Sequence, residues 1–236
     1  MKSGAKAAWR RRWVRRAAWT VVALAALPHL LLLLYRLVPP PVTPLMIGRL
    51  AGGNGLDRDW VRLDEISPAL AQAVIAAEDN RFCTHSGVDW TELRAAMNER
   101  RSDERMRGAS TITMQTVKNL VLWPGRDVLR KGVEIYLAHY LDAIWPKHRI
   151  IEVYLNVAEW GPGVYGAEAA SLRYFGKPAS RLSLTEASLL AATLPSPLRW
   201  RPDRPTPYIS NRAASIRRRI GQLGPLLACV HGDGGS

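Results

Sequence analysis

The sequence predicts a mainly α protein, one N-terminal transmembrane helix followed by a helical domain, and three observations carry that prediction. Ala17 to Tyr35 is a run of nineteen residues without a formal charge, close to the length a helix needs to cross a bilayer. From Ser67 onward, helix start and stop signals follow one another at short intervals. Strand signals are weak throughout.

The first sixteen residues, MKSGAKAAWRRRWVRR, hold Lys2, Lys6, Arg10, Arg11, Arg12, Arg15 and Arg16 and no acid. Such a cluster before an apolar helix follows the positive-inside rule, so this tail is expected in the cytoplasm and the rest of the chain outside. Leu37-Val38-Pro39-Pro40-Pro41 stands where a small-residue cleavage site would be needed, which favours an uncleaved signal anchor over residues 17–38. Pro28 and His29 interrupt it midway. The chain has 33 basic and 20 acidic residues, a formal charge of +13, about half of it in the tail. The excess then reads as a topology signal and an anionic-lipid contact, not as a nucleic-acid footprint. Residues 39–59, with PPPVTP and AGGNG, read as a linker, residues 60–225 as the domain and 226–236 as a flexible tail. Cys83 and Cys229 make no disulfide framework, and no bridge between them is expected. No zinc spacing occurs.

A short hairpin is expected near Leu56–Arg62. Ser67 and Pro68 then open a helix, with a hydroxyl to cap free N–H groups and a proline at the first position. Asp89 and Glu92 suit a capping box for 90–100, and Ser110 is expected to cap a helix to about Leu122. A longer helix from Val128 to Trp145 ends at Pro146, and another from about His148 to Ala158 runs into Gly161. Residues 166–175 stop at Gly176, Ser183 and Glu186 form a second capping box, and 207–222 is the last helix. GPGVYG, Gly161 to Gly166, fits the dinucleotide pattern by letters only. Ile151, Tyr154, Leu155 and Ala158 before it have helical spacing where that pattern needs a strand, so it reads as a glycine-rich turn between helices.

Chemistry concentrates in three segments. In ALAQAVIAAEDNRF only Gln72 is polar between Leu70 and Ala77, so an almost wholly apolar helix delivers Glu78 and Asp79 to its own negative end. A surface ion pair with Arg81 is the bland account; a desolvated Glu78 with raised basicity, poised for proton transfer, is the functional one. RGASTITMQTVKN places Thr111, Gln115 and Lys118 on one helix face after a Gly-Ala-Ser entry, either a cradle for a phosphate-like anion or a solvated polar face. RKGVEIYLAHYLDAIW sets Glu134 on a largely apolar stripe one turn after Arg130 and beside Lys131, where an ordinary i,i+4 ion pair is the simplest reading.

Together these segments resemble the peptidoglycan glycosyltransferases that polymerise lipid II. AAEDNRFCTHSGVD resembles the first signature of that family, RGASTITMQTVKN the second, RKGVEIYLAHYLD the third, RIIEVYLNVAEWGPGVYGAEAASLRYFGK the fourth and LTEASLLAATLPSP the fifth. The anchor and the GASTIT run followed by QTVKN are most similar to the monofunctional biosynthetic branch. SGAK at Ser3–Lys6 lies in the tail and no K-T-G occurs, so no transpeptidase signature accompanies the match. Two departures stand out: Met114 occupies a position where many relatives have a second glutamine, and Cys83 sits at a variable position within the first signature as a thiol open to reagents.

The resemblance implies a lysozyme-like, mainly helical fold and release of undecaprenyl pyrophosphate with inversion. By resemblance Glu78 is the general base and Glu134 the second catalytic carboxylate. Lys118, Arg130, Lys131, Ser110, Thr111 and Gln115 are the expected pyrophosphate partners. Asp79, Phe82 and His85 are expected as structural residues near the site, Asp79 accepting from backbone or Arg81 and His85 hydrogen-bonding in its loop. No tightly bound cofactor is implied, and a divalent cation, magnesium or manganese, at Glu134 stays open. The implied partners are lipid II, the growing lipid-linked glycan chain, the membrane, and other cell-wall synthases or divisome proteins, with no nucleic acid. The implied place is the inner membrane, single-pass, with the catalytic domain periplasmic. A lysozyme-like hydrolase would also set a glutamate in a glycan groove but needs no lysine and arginine set for a diphosphate; a non-enzymatic glycan-binding scaffold is the remaining alternative.

Overall fold

The computed structural model describes residues 2–101, 110–125 and 127–230, and the chain divides into two bodies, Met1–Val38 and Pro39–Ser236. In the first, helix α1 runs from Lys2 to Tyr35, so the basic tail is helical as well as the apolar run. Its stretch Trp9–Tyr35 is long and apolar enough to cross a membrane. Pro28 removes one N–H but does not end the helix. A ring nitrogen of His29 lies 3.0 Å from the carbonyl of Ala25, one turn back, beside the place where the proline leaves the ladder short.

In the second body the expected linker is partly folded. Thr43 accepts from the N–H of Met46, Pro44 occupies the first turn, and helix α2 (Pro44–Ala51) buries Met46. Strand β1 (Asp57–Arg58) follows, but not as half of a hairpin: it pairs in parallel with β3 (Val164–Tyr165), which pairs antiparallel with β2 (Glu159–Gly161) in the order β1-β3-β2. The hairpin lies instead in the glycine-rich segment. Helix periodicity ends at Val157, Ala158 turns extended, and Gly163 at φ +71° makes the tight return, with Gly55 so close that a Cβ would meet its carbonyl oxygen at 2.4 Å. Asn156 holds the segment after β1 by accepting from the N–H of Val61 and donating to its carbonyl.

Helix α3 (Pro68–Glu78) is the buried axis of this body. Leu70, Ala71, Ala73, Val74, Ile75 and Ala76 are all buried, and α9 (Leu184–Thr193) and α10 (Pro207–Leu223) pack against it. Each fully buried Leu, Val or Ile there contributes about 1.5–3 kcal/mol. Ser67 does not cap α3; its hydroxyl donates to the carbonyl of Leu182 at 2.9 Å, tying the helix start to the segment before α9. Helix α4 (Trp90–Arg101) is capped by Asp89, which accepts from the N–H groups of Thr91 and Glu92. Helix α5 (Ile112–Val121) starts one residue later than Ser110 would dictate: the cap is Thr111, which accepts from the N–H of Met114. Helix α6 (Val128–Ile144), capped by Asp127, and α7 (Lys147–Val157) both pack on α5. Helix α8 (Ala167–Phe175) ends in left-handed Gly176, and Ser183 and Glu186 complete the capping box of α9.

Two expectations fail at the C-terminal side. Residues 226–230, the start of the expected flexible tail, lie in a 3-10 helix, Gly224–Val230, with Leu227 and Val230 buried; 231–236 lie outside the described residues. Cys229 in that helix is bonded to Cys83, 146 positions earlier, so no thiol remains at Cys83. The bridge was not legible because two cysteines carry no framework pattern, and their meeting depends on how α10 returns over α3. Closing so long a loop restrains the unfolded chain, a contribution of about 2–5 kcal/mol. Replacing both cysteines by serine is therefore expected to lower the denaturant midpoint of the full chain by that stability with little change in secondary structure, and an unchanged midpoint would show that the bridge restrains nothing.

Candidate active site

The end of α3 sets the site. Glu78 is its last residue and Asp79 its C-cap, and the two adjacent carboxylates turn to different neighbours. Asp79 is buried. Its oxygens accept from Nε2 of His85 at 2.9 and 3.0 Å and from the backbone N–H of Ile112 at 3.0 Å. The second contact satisfies one of the free N–H groups opening α5, so Asp79 joins the end of one helix to the start of the next. Arg81 does not bind it; that guanidinium lies 3.6 Å from Asp89. Phe82 is buried edge-on to His85, and the Lys147 ammonium sits 4.7 Å over its ring while donating to the His85 carbonyl. The loop closes at Gly87, φ +81°, where a Cβ would fall 2.4 Å from the carbonyl oxygen of Ala138 in α6.

Glu78 is free of that anchoring. Its Oε2 accepts from Nε2 of Gln115 at 3.0 Å, and Oε1 lies 3.8 Å from a guanidinium nitrogen of Arg212 on α10, an ion pair too long for a hydrogen bond. Burial pushes its pKa above the usual carboxylate range. The Gln115 hydrogen bond and the charges of Arg212 and Lys118 pull it back, and Asp79 adds to the rise. Gln115 is itself oriented by the Tyr154 hydroxyl, which donates to Oε1 at 3.3 Å.

A second cluster gathers between α5 and α6. Glu134 is buried on α6, with Nη1 of Arg130 2.6 Å from one oxygen and Nζ of Lys131 2.7 Å from the other. Lys131 also donates to the Ser110 hydroxyl at 2.8 Å. Lys118 faces Glu134, Arg130, Lys131 and Glu78. Its side chain reaches solvent, yet its pKa is lowered, first by lost hydration and then by the two neighbouring cations, against the pull of the two carboxylates. Three cations thus stand around one buried carboxylate. A cleft of about 190 Å³ opens beside Lys118 and Arg130, with apolar walls including Leu45, Leu122, Trp123 and Pro124. Both Glu134 oxygens are taken by cations, and no group of three or more metal-ligating side chains occurs among the described residues, so this donor set does not fit a divalent cation.

The residues predicted from sequence therefore separate. Glu134, Lys118, Arg130, Lys131 and Ser110 form the cationic cluster. Gln115 donates to Glu78 at 3.0 Å and touches the cluster only through the Ser110 carbonyl at 3.5 Å, and Thr111 is buried with its hydroxyl spent on the Gly87 carbonyl and the Met114 N–H. Met114 is core, packed with Val88 and Ala138. Arg107, Gly108 and Ala109, the expected entry of the cradle, lie outside the described residues. Nothing local in the sequence marks Arg212 or Lys147, and Tyr154 stands there only as one residue of an apolar stripe.

A family model described as transglycosylase matches residues 45–221, and the chain belongs to that family. It is thus a glycosyltransferase enzyme. The chain is 55% identical over 222 residues to a protein of Rhodospirillum centenum named biosynthetic peptidoglycan transglycosylase, covering 93% of this chain and 96% of that one. Proteins of the same name from Mesorhizobium japonicum (48% identical; 93% and 94% covered) and Rhizobium meliloti (44%; 98% and 100%) are similar over comparable spans.

The raised pKa of Glu78 has a consequence for stability. The folded state holds the Glu78 proton to higher pH than the unfolded state does, so the buried charge lowers stability as pH rises through the unfolded pKa, and the loss is complete above the folded pKa. Glu78→Gln is expected to melt higher than the wild type at neutral pH, with the gain vanishing as pH falls below the ordinary carboxylate range; a gain independent of pH would contradict this origin.

Proposed function

We propose that this enzyme polymerises peptidoglycan glycan strands from lipid II with release of undecaprenyl pyrophosphate. The observation that carries the reading is the division of labour between two neighbouring clusters: a partly buried carboxylate with one oxygen bound only by a glutamine, and a group of cations in surplus over their carboxylate. Glu78 removes the proton from the 4-hydroxyl of the incoming N-acetylglucosamine, and that oxygen attacks the anomeric carbon of the growing chain. The bond to the diphosphate breaks, the configuration inverts, and the proton rests on Glu78, whose burial favours the neutral form. Negative charge then accumulates on the leaving diphosphate, where Lys118, Arg130 and Lys131 oppose it. Their surplus favours transfer from a lipid diphosphate over hydrolysis of a finished glycan, which creates no such anion.

Helix α1 anchors the enzyme, with the arginines of its first half on the cytoplasmic side and the domain in the periplasm. The Cys83–Cys229 bridge supports an oxidising compartment for that domain.

Full-length protein given lipid II is expected to yield polymer and free polyprenyl pyrophosphate; shortening of pre-made strands, or no reaction, would favour the hydrolase or the scaffold. In this assay Glu78→Gln is expected to bind lipid II yet lose polymerisation by at least about 100-fold, since the amide cannot take the proton, and near-normal turnover would remove Glu78 from the role. Lys118→Ala is expected to lower kcat more than it raises KM, because the ammonium acts most when charge reaches the diphosphate. A rise in KM alone would confine Lys118 to ground-state binding.

A further inference from the structure

We infer that Arg212 is a positioning residue of this reaction: from α10 it keeps Glu78 ionised while leaving the Oε1 lone pairs open to the incoming proton. The inference rests on the reading of Glu78 as the base. Two arginines seven residues apart on α10, Arg212 and Arg219, address the same end of α3. Nη1 of Arg219 lies 3.5 Å from the carbonyl of Ala76, one of the last carbonyls that α3 leaves without a helical partner, and Arg212 faces the carboxylate two residues on. Positive charge is therefore delivered where the negative end of a helix, the partly buried Glu78 carboxylate and the neighbouring Asp79 coincide.

The separation is what gives Arg212 its role. A guanidinium bonded directly to Oε1 would occupy the lone pairs that must take a proton, whereas at 3.8 Å it lowers the energy of the charged form and leaves them unspent. Gln115 already holds the other oxygen, so the proton-accepting atom is defined as Oε1. The charged and titratable groups facing Glu78 are Arg212 from α10, Lys118 from α5, Asp79 beside it, which is itself held by His85, and the Tyr154 phenol from α7. Tyr154 is buried with its pKa raised well above the ordinary value, so it stays neutral, and Lys118 is shared with Glu134. Arg212 is the cation closest to Glu78 that has no carboxylate of its own among the described residues.

The test is the pH dependence of kcat/KM for lipid II in full-length wild type, Arg212→Gln, Arg212→Met, Arg212→Lys and Glu78→Gln, each checked by melting. Removing the charge is expected to move the acid limb upward by about one unit, giving roughly a tenfold loss on that limb and recovery toward wild-type rates at alkaline pH. Arg212→Met provides the same neutral test should Arg212→Gln not fold, and Arg212→Lys is expected to keep the limb near its wild-type position. An unmoved limb in the neutral variants, or a loss uniform across pH that lysine does not restore, overturns the inference. Polymerisation by Glu78→Gln would instead overturn the base assignment beneath it.

Discussion

The two oxygens of Asp79 are the contact on which the rest of the candidate site depends. They receive the His85 ring and the first free N–H of α5, so the end of α3, the loop through His85 and the start of α5 are fixed to one another by a single buried carboxylate. Gly87 presses that loop onto α6, and its carbonyl takes the Thr111 hydroxyl, which also caps α5. Gln115 and Lys118 then project from α5 at fixed heights, one to Glu78 and the other toward Glu134. Losing either Asp79 contact would leave buried polar groups unpaired, at about 1–3 kcal/mol each, before any chemistry was touched.

Such a site carries a cost that the fold distributes. An apolar helix that ends in two carboxylates is unfavourable through both desolvation and its own dipole. One acid is neutralised by donors, and the other is left partly unmet but watched from a distance by Arg212. The mirror situation holds at Glu134, where a buried carboxylate permits Arg130 and Lys131 to stand close together, and Lys118 nearby adds charge that nothing fully balances. Helix α5 links the two: Gln115 reaches Glu78 at the end of α3, and Lys118 faces Glu134 on α6, the helix that α5 packs against.

How much of this was legible follows from the range of the interactions. Caps and stops are local, so the helices from Pro68 to Leu223 fall close to where Asp89, Pro146, Ser183 and Gly176 place them. Ser110 and Thr111 are both good caps and adjacent, and only the hydrogen bond to Gly87 from a distant loop decides between them. The parallel pairing of Asp57–Arg58 with Val164–Tyr165 has no local signature at two residues a strand, whereas a hairpin guess costs nothing in loop length. Helical spacing put Thr111, Gln115 and Lys118 on one face but could not say that the face looks onto two different carboxylates. Arg212, one basic residue of several on α10, acquires meaning only when α10 packs on α3.

The bond between Cys83 and Cys229 puts the loop after Glu78 at the mercy of the order in which the chain is made. Cys83 emerges early, five residues after Glu78, and waits for a partner that arrives only after α10 has been synthesised. The final staple on the loop is thus set last, beyond residue 221 where the family match stops. A chain interrupted before residue 229 would carry every side chain of both clusters and still leave that loop unfastened.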